Sequence, residues 1–181
     1  MINIIKKLTL LAFTSMLFTT LATAEAAQVI DAKANVALQE FHKEKGAKDF
    51  LGKAYATLVF PSVIKGGIGI GGEYGEGALR VDGKTVAYYR VAAASFGFQL
   101  GVQETSYIFA FKSKDVLDRF MESNGWEAGA DGSITVAKWG AGKDISSISF
   151  EKPIYAFVFG GKGFMYNLTF KGTKFTKINP K

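Results

Sequence analysis

Three hydrophobic patterns succeed one another along the chain. Leu8 to Leu21 is an apolar run broken only by Thr and Ser, placed behind Lys6 and Lys7. The second pattern is helical. Over Val29 to Lys45, apolar Ile30, Ala34, Ala37, Leu38 and Phe41 repeat on one face. Lys43 and Lys45 suit the C-terminal end of that helix, and Gly46 suits its stop. Ala47 to Lys53 predicts a second short helix with Phe50 and Leu51 inward. From Tyr55 the period becomes two. Tyr55 to Phe60 predicts a strand ended by Pro61, which cannot donate to a ladder.

The run Lys65-Gly66-Gly67-Ile68-Gly69-Ile70-Gly71-Gly72 puts isoleucines on one face and glycines on the other. Gly67, Gly69, Gly71 and Gly72 therefore mark a strand that another backbone or a ligand can approach closely. Asp82-Gly83 between Ala78–Val81 and Thr85–Val91 is a hairpin signal. Phe96, Phe98, Leu100 and Val102 alternate with small or amide residues, and Tyr107 to Phe111 is a further strand. Ser113 to Asn124 predicts a helix with Val116, Leu117, Phe120 and Met121 inward. Trp126 to Gly142 reads as a loop or hairpin turning at Asp131-Gly132. Pro153–Gly160, Gly163–Phe170 and Lys174–Ile178 predict the last strands. The expected class is α+β: mainly an antiparallel β sandwich or partly closed barrel, with an N-terminal helix and one internal helix.

The first pattern is that of a secretory signal peptide: basic residues, a short apolar stretch, then small residues. Two cleavage patterns fit, Ala22-Thr23-Ala24 and Ala24-Glu25-Ala26. A cut after Ala26 divides the chain into a 1–26 leader and a 27–181 domain. The apolar run is short for a membrane span. The expected location is periplasmic or secreted, and the mature chain is expected to be soluble.

Composition narrows the chemistry. With 21 Gly, 16 Phe and only 3 Pro, the chain suits strands and tight turns. The absence of cysteine excludes disulfides, thiolate metal sites and a lipid-modified N-terminal Cys. A single histidine, His42, excludes a His-rich metal site within one chain. No cofactor or metal is expected. The formal charge of +6 suits an anionic surface, and export argues against nucleic acid.

Several motifs carry less than they promise. Gly67-Ile68-Gly69-Ile70-Gly71-Gly72 matches G-x-G-x-x-G, but no helical stripe follows it and no βαβ alternation surrounds it. Glu73 and Glu76 invite a paired-carboxylate hydrolase, yet glutamates in a Gly-rich stretch read more simply as solvated turn residues. Asn167-Leu168-Thr169 is a chance glycosylation pattern. No catalytic residue is assigned, and the chain is expected not to be an enzyme. Lys162, Lys171, Lys174, Lys177 and Lys181 fall in an acid-free stretch. They read either as a solvated edge or as a basic patch for acidic head groups. The first four are the candidate lipid-binding residues.

Phe60-Pro61-Ser62-Val63-Ile64-Lys65-Gly66-Gly67, Gly71 to Gly77, and Ala94-Ser95-Phe96-Gly97-Phe98-Gln99-Leu100-Gly101 together resemble the SYLF-domain family of lipid-binding proteins. Gly160 to Met165 and Gly172-Thr173-Lys174 fit the end of that domain. The resemblance runs from about Ala32 to the C-terminus and identifies an exported, bacterial-type member. It implies membrane-lipid binding. Eukaryotic relatives prefer phosphoinositides, and some bind actin in endocytic remodelling. The signal peptide argues against an actin partner here, and the missing cysteine against a lipid-anchored lipoprotein. The expected partner is an anionic phospholipid surface; no protein partner is named. The alternative is an envelope structural protein that binds another protein or a polysaccharide.

Overall fold

The computed structural model describes residues 25–97, 102–123, 125–139, 144–160 and 169–181. Helix α1 (Ala27–Phe41) buries Ile30, Ala34, Ala37 and Phe41, the face that the spacing predicts. It ends at His42, short of Lys45. Gly46 follows in a left-handed conformation (φ 79°) and opens α2 (Ala47–Leu51), which buries Phe50 and Leu51. A side chain at Gly46 would also collide with Asp144 and Ser146, so this turn needs glycine twice over.

The strands form one strongly curled sheet, a half-barrel. Strand β1 (Ala56–Val81) is 26 residues long. Straight, it would span roughly 85 Å, so it must bend to stay within a domain of this size. Its first half pairs with β3 (Val102–Phe111), and its second half pairs with β2 (Lys84–Gly97). Pro61 does not end the strand as its missing N–H suggests. It sits in the register shift between Phe60 and Val63, where no ladder donor is required. The Ser106 hydroxyl donates to its carbonyl at 2.7 Å.

The Asp82-Gly83 turn is as expected, with both residues at positive φ (50° and 75°). Helix α3 (Lys114–Glu122) buries Leu117 and Phe120, with Val116 and Met121 packed at the core margin. Two-residue strands β4 (Trp126–Glu127) and β5 (Thr135–Val136) follow, then β6 (Ile154–Phe159) and β7 (Lys174–Ile178). The strand order is β4-β7-β2-β1-β3-β6-β5. Every pair is antiparallel except β5–β6, which is parallel, so the sheet is mixed. The class is α+β, as expected. The strand expected over Gly163–Phe170 lies almost wholly outside the described residues.

Two cores explain why β6 is buried at every position. On one face, Leu58, Phe60, Tyr107, Phe109, Ala156 and Val158 meet Tyr89, Val91 and Phe175 from the other half of the curled sheet, with Phe120 of α3. Phe175 lies 5.2 Å from Phe109 and 6.0 Å from Phe60, centroid to centroid. On the opposite face, Val59, Ile108, Ala110 and Phe157 pack under α1 and α2. Edge-to-face and tilted aromatic pairs run through both layers, as ring quadrupoles favour. The middle strands read as near-continuous apolar runs because both their faces are covered.

A polar network fastens α1 to the sheet. Asp31 accepts from Thr85 Oγ1 (2.7 Å) and from the Tyr88 hydroxyl (2.8 Å). Buried Arg80 donates to the Asp31 carbonyl and to Asn35 Oδ1, and its Nη2 lies 3.6 Å from Asp31 Oδ1. A charge as buried as Arg80 requires such partners.

Candidate functional site

The glycine-rich part of β1 divides in two. Gly69, Gly71 and Gly72 sit in the ladder opposite Gly97, Ser95 and Ala94. Gly67 lies between the two paired stretches. A side chain at Gly72 would meet only the Ala93 carbonyl, at an ordinary 3.7 Å. Further on, the strand's two halves touch. A Cβ at Gly75 would lie 2.7 Å from the Ser62 carbonyl oxygen, and one at Gly77 2.3 Å from that of Val59. Gly75 and Gly77 therefore mark a close backbone crossing within β1.

The carboxylates between these glycines are buried strand residues, not solvated turns. Glu73 is 8% exposed and Glu76 likewise. Glu73 lies 3.9 Å from Lys65 Nζ and accepts a hydrogen bond from Tyr107. Burial raises its pKa, against the opposing pull of Lys65 and Tyr107. Burial, and then the Glu73 charge, push the Tyr107 phenol up as well. Glu76 accepts from the Tyr74 hydroxyl (2.6 Å) and the Glu25 backbone N–H (3.0 Å), and lies 3.4 Å from Arg90 Nη2. Arg90 also rests over the Tyr74 ring, 5.4 Å from its centroid. Each carboxylate thus has its own partners. Tyr74 and Glu76 line an open cleft of about 230 Å³, with Glu25, Pro61, Ser62 and Ile64.

Lys171, Lys174 and Lys177 are exposed, but Lys174 and Lys177 do not share one face. Lys174 and Lys177 lie at positions of opposite parity on β7, opposite Ala92 and Tyr89. Lys174 Nζ is 3.8 Å from Glu127. Lys171 occupies the turn before β7, against Gly129, beside a shallow hollow that Lys138 also lines. Lys162 lies outside the described residues. Strand β4 pairs only with Phe175 and Lys174, so among the described residues the edge of β7 from Thr176 onward is unpaired.

His42 ends α1, and burial followed by the charge of Lys48 lowers its pKa. It contacts neither glutamate. Among the described residues no group of His, Asp and Glu could hold a metal ion. No described helix is long and apolar enough to cross a membrane.

Residues 92–179 match the family model described as Ysc84, Las17-binding protein actin regulator. The match begins inside β2 and ends just beyond β7, so it contains β3, α3, β6 and the exposed Lys171, Lys174 and Lys177. No curated protein matches the chain.

Proposed function

From the premise that this chain is a SYLF-domain family member through its Ysc84 segment at residues 92–179, we propose that it is an exported, non-catalytic protein that associates with anionic lipid head groups. The family is linked broadly to lipid or actin binding. The signal-peptide pattern at residues 1–26 sets the export arm of this reading aside from actin.

The observation that carries the lipid arm is the exposed basic edge at β7. Lys171, Lys174 and Lys177 are all exposed there, and the strand's outer edge is open from Thr176. Lys174 and Lys177 lie on opposite faces and β4 covers the edge at Lys174, so a surface that meets the open stretch of the edge meets Lys177 first. Each such cation near an anionic bilayer contributes on the order of 1 kcal/mol. Nothing in this reading requires the buried glutamates to react; each is held by structural partners.

Co-sedimentation of the processed chain with neutral and anionic vesicles, across a salt series, tests the proposal. Binding to anionic vesicles that weakens with salt is expected, because screening shortens the reach of the lysines. Indifference to every vesicle would overturn it and favour a protein or polysaccharide partner in the envelope.

A further inference from the structure

The structure discriminates between the two cleavage patterns, because the residues around them make contacts that only one cut preserves. We propose that processing falls between Ala24 and Glu25, and that the new α-ammonium group of Glu25 docks on the buried carboxylate of Glu76. This rests on the export reading above.

Three observations on separate atoms agree. The Glu25 backbone nitrogen already lies 3.0 Å from Glu76 Oε2. After hydrolysis of the Ala24–Glu25 peptide bond, water supplies the hydroxyl of the Ala24 carboxyl group and the nitrogen becomes an amine. Protonated, that amine exchanges a neutral donor for a charged one on a carboxylate that is 8% exposed. Next, the Glu25 carboxylate forms an ion pair with Lys33 on α1, which steadies the residue that carries the amine. Finally, Ala26 is the N-cap of α1, and its carbonyl accepts from Val29 and Ile30 at 2.9 and 3.1 Å. Helix α1 has no side-chain cap, so those backbone bonds are what satisfies its first turn.

A cut after Ala26 removes all of this. It deletes the cap carbonyl, the Lys33 partner and the donor to Glu76. It also leaves a bare ammonium inside the first helical turn, where the macrodipole opposes positive charge. The cut before Glu25 keeps every contact and places the charge on an acid. Glu76 also holds Tyr74 and Arg90, so the mature N-terminus would tie the start of α1 to the far half of β1.

The test begins with the full chain, expressed in an exporting host and recovered after processing. Mass spectrometry of the N-terminal peptide should read Glu25 as its first residue. A chain beginning at Ala27 would overturn this site and leave the export reading standing. An uncut chain beginning at Met1 would overturn both. The second part compares processed wild type with Glu76→Gln by thermal melting across pH. An amine paired with a carboxylate has a folded pKa above its ordinary value of about 8. Its stabilisation is complete below that value and is lost as pH rises through the folded pKa. Wild type should therefore lose a few degrees relative to Glu76→Gln over that window; parallel curves would overturn the pairing. Should the variant not fold, the acylation rate of the α-amine in wild type decides. Slower labelling in the folded chain than in urea supports the docked terminus, and equal rates overturn it.

Discussion

Gly72 and Gly77 lie five residues apart on one strand, and the structure asks opposite things of them. At Gly77 the strand presses against its own first half, and a methyl group would sit 2.3 Å from the Val59 carbonyl oxygen. At Gly72 a methyl group would find only ordinary contact. Neither is among the glycines with positive φ, so backbone conformation does not separate them. Space does. The crossing at Gly75 and Gly77 lets a 26-residue strand fold back and enclose an aromatic core between its two halves. Gly72 sits in the ladder without such a crossing.

Substitutions along this strand can sharpen the contrast. Gly77→Ala should be the most damaging, costing about 3 kcal/mol in urea unfolding, because the obstacle is backbone and cannot rotate away. Gly75→Ala should cost about 2 kcal/mol, since its contacts include the movable Val63 Cγ2 as well as the Ser62 carbonyl.

Between the two regions, Glu73 offers a pH readout. Burial raises its folded pKa above the ordinary 4.5, so the folded chain holds its proton longer than the unfolded chain. Stability from this group is present below pH 4.5 and falls as pH rises through the folded value. Glu73→Gln should lack that decline, and the two stability curves should diverge upward from pH 4.5. Parallel curves would show that Lys65 and Tyr107 fully offset the burial. The smallest effect belongs to Gly72→Ala, which should change stability by less than about 0.5 kcal/mol. A large loss there would erase the distinction between the two regions.

How much of this was legible in the sequence differs by element. The face of α1, the Asp82-Gly83 turn and the α3 stripe follow from local periodicity, and all stand in the fold. The β7 bounds also agree. Pro61 misleads because a register shift excuses it from the ladder, and a shift depends on the partner strand. Glu73 and Glu76 mislead for a related reason. Flanking glycines suggest a turn, but here glycine serves the crossing, and the acids find partners at Lys65, Tyr107, Tyr74 and Arg90. Those partners lie up to 34 residues away, beyond any local pattern. The Asp31–Arg80 network was invisible for the same reason: one residue sits on α1 and the other near the end of β1. Of the candidate lysines, exposure at Lys171, Lys174 and Lys177 was legible, whereas the opposite parity of Lys174 and Lys177 needed the β2 register to show it.

The most direct test of the lipid-binding account is vesicle flotation with processed wild type beside the variant Lys171→Glu/Lys174→Glu/Lys177→Glu, at one low salt concentration. The account predicts that wild type floats with anionic vesicles and stays behind with neutral ones, and that the triple variant, still folded by circular dichroism, floats with neither. Equal flotation of the two proteins would contradict the basic edge as the contact, and failure of wild type to float would contradict lipid association itself.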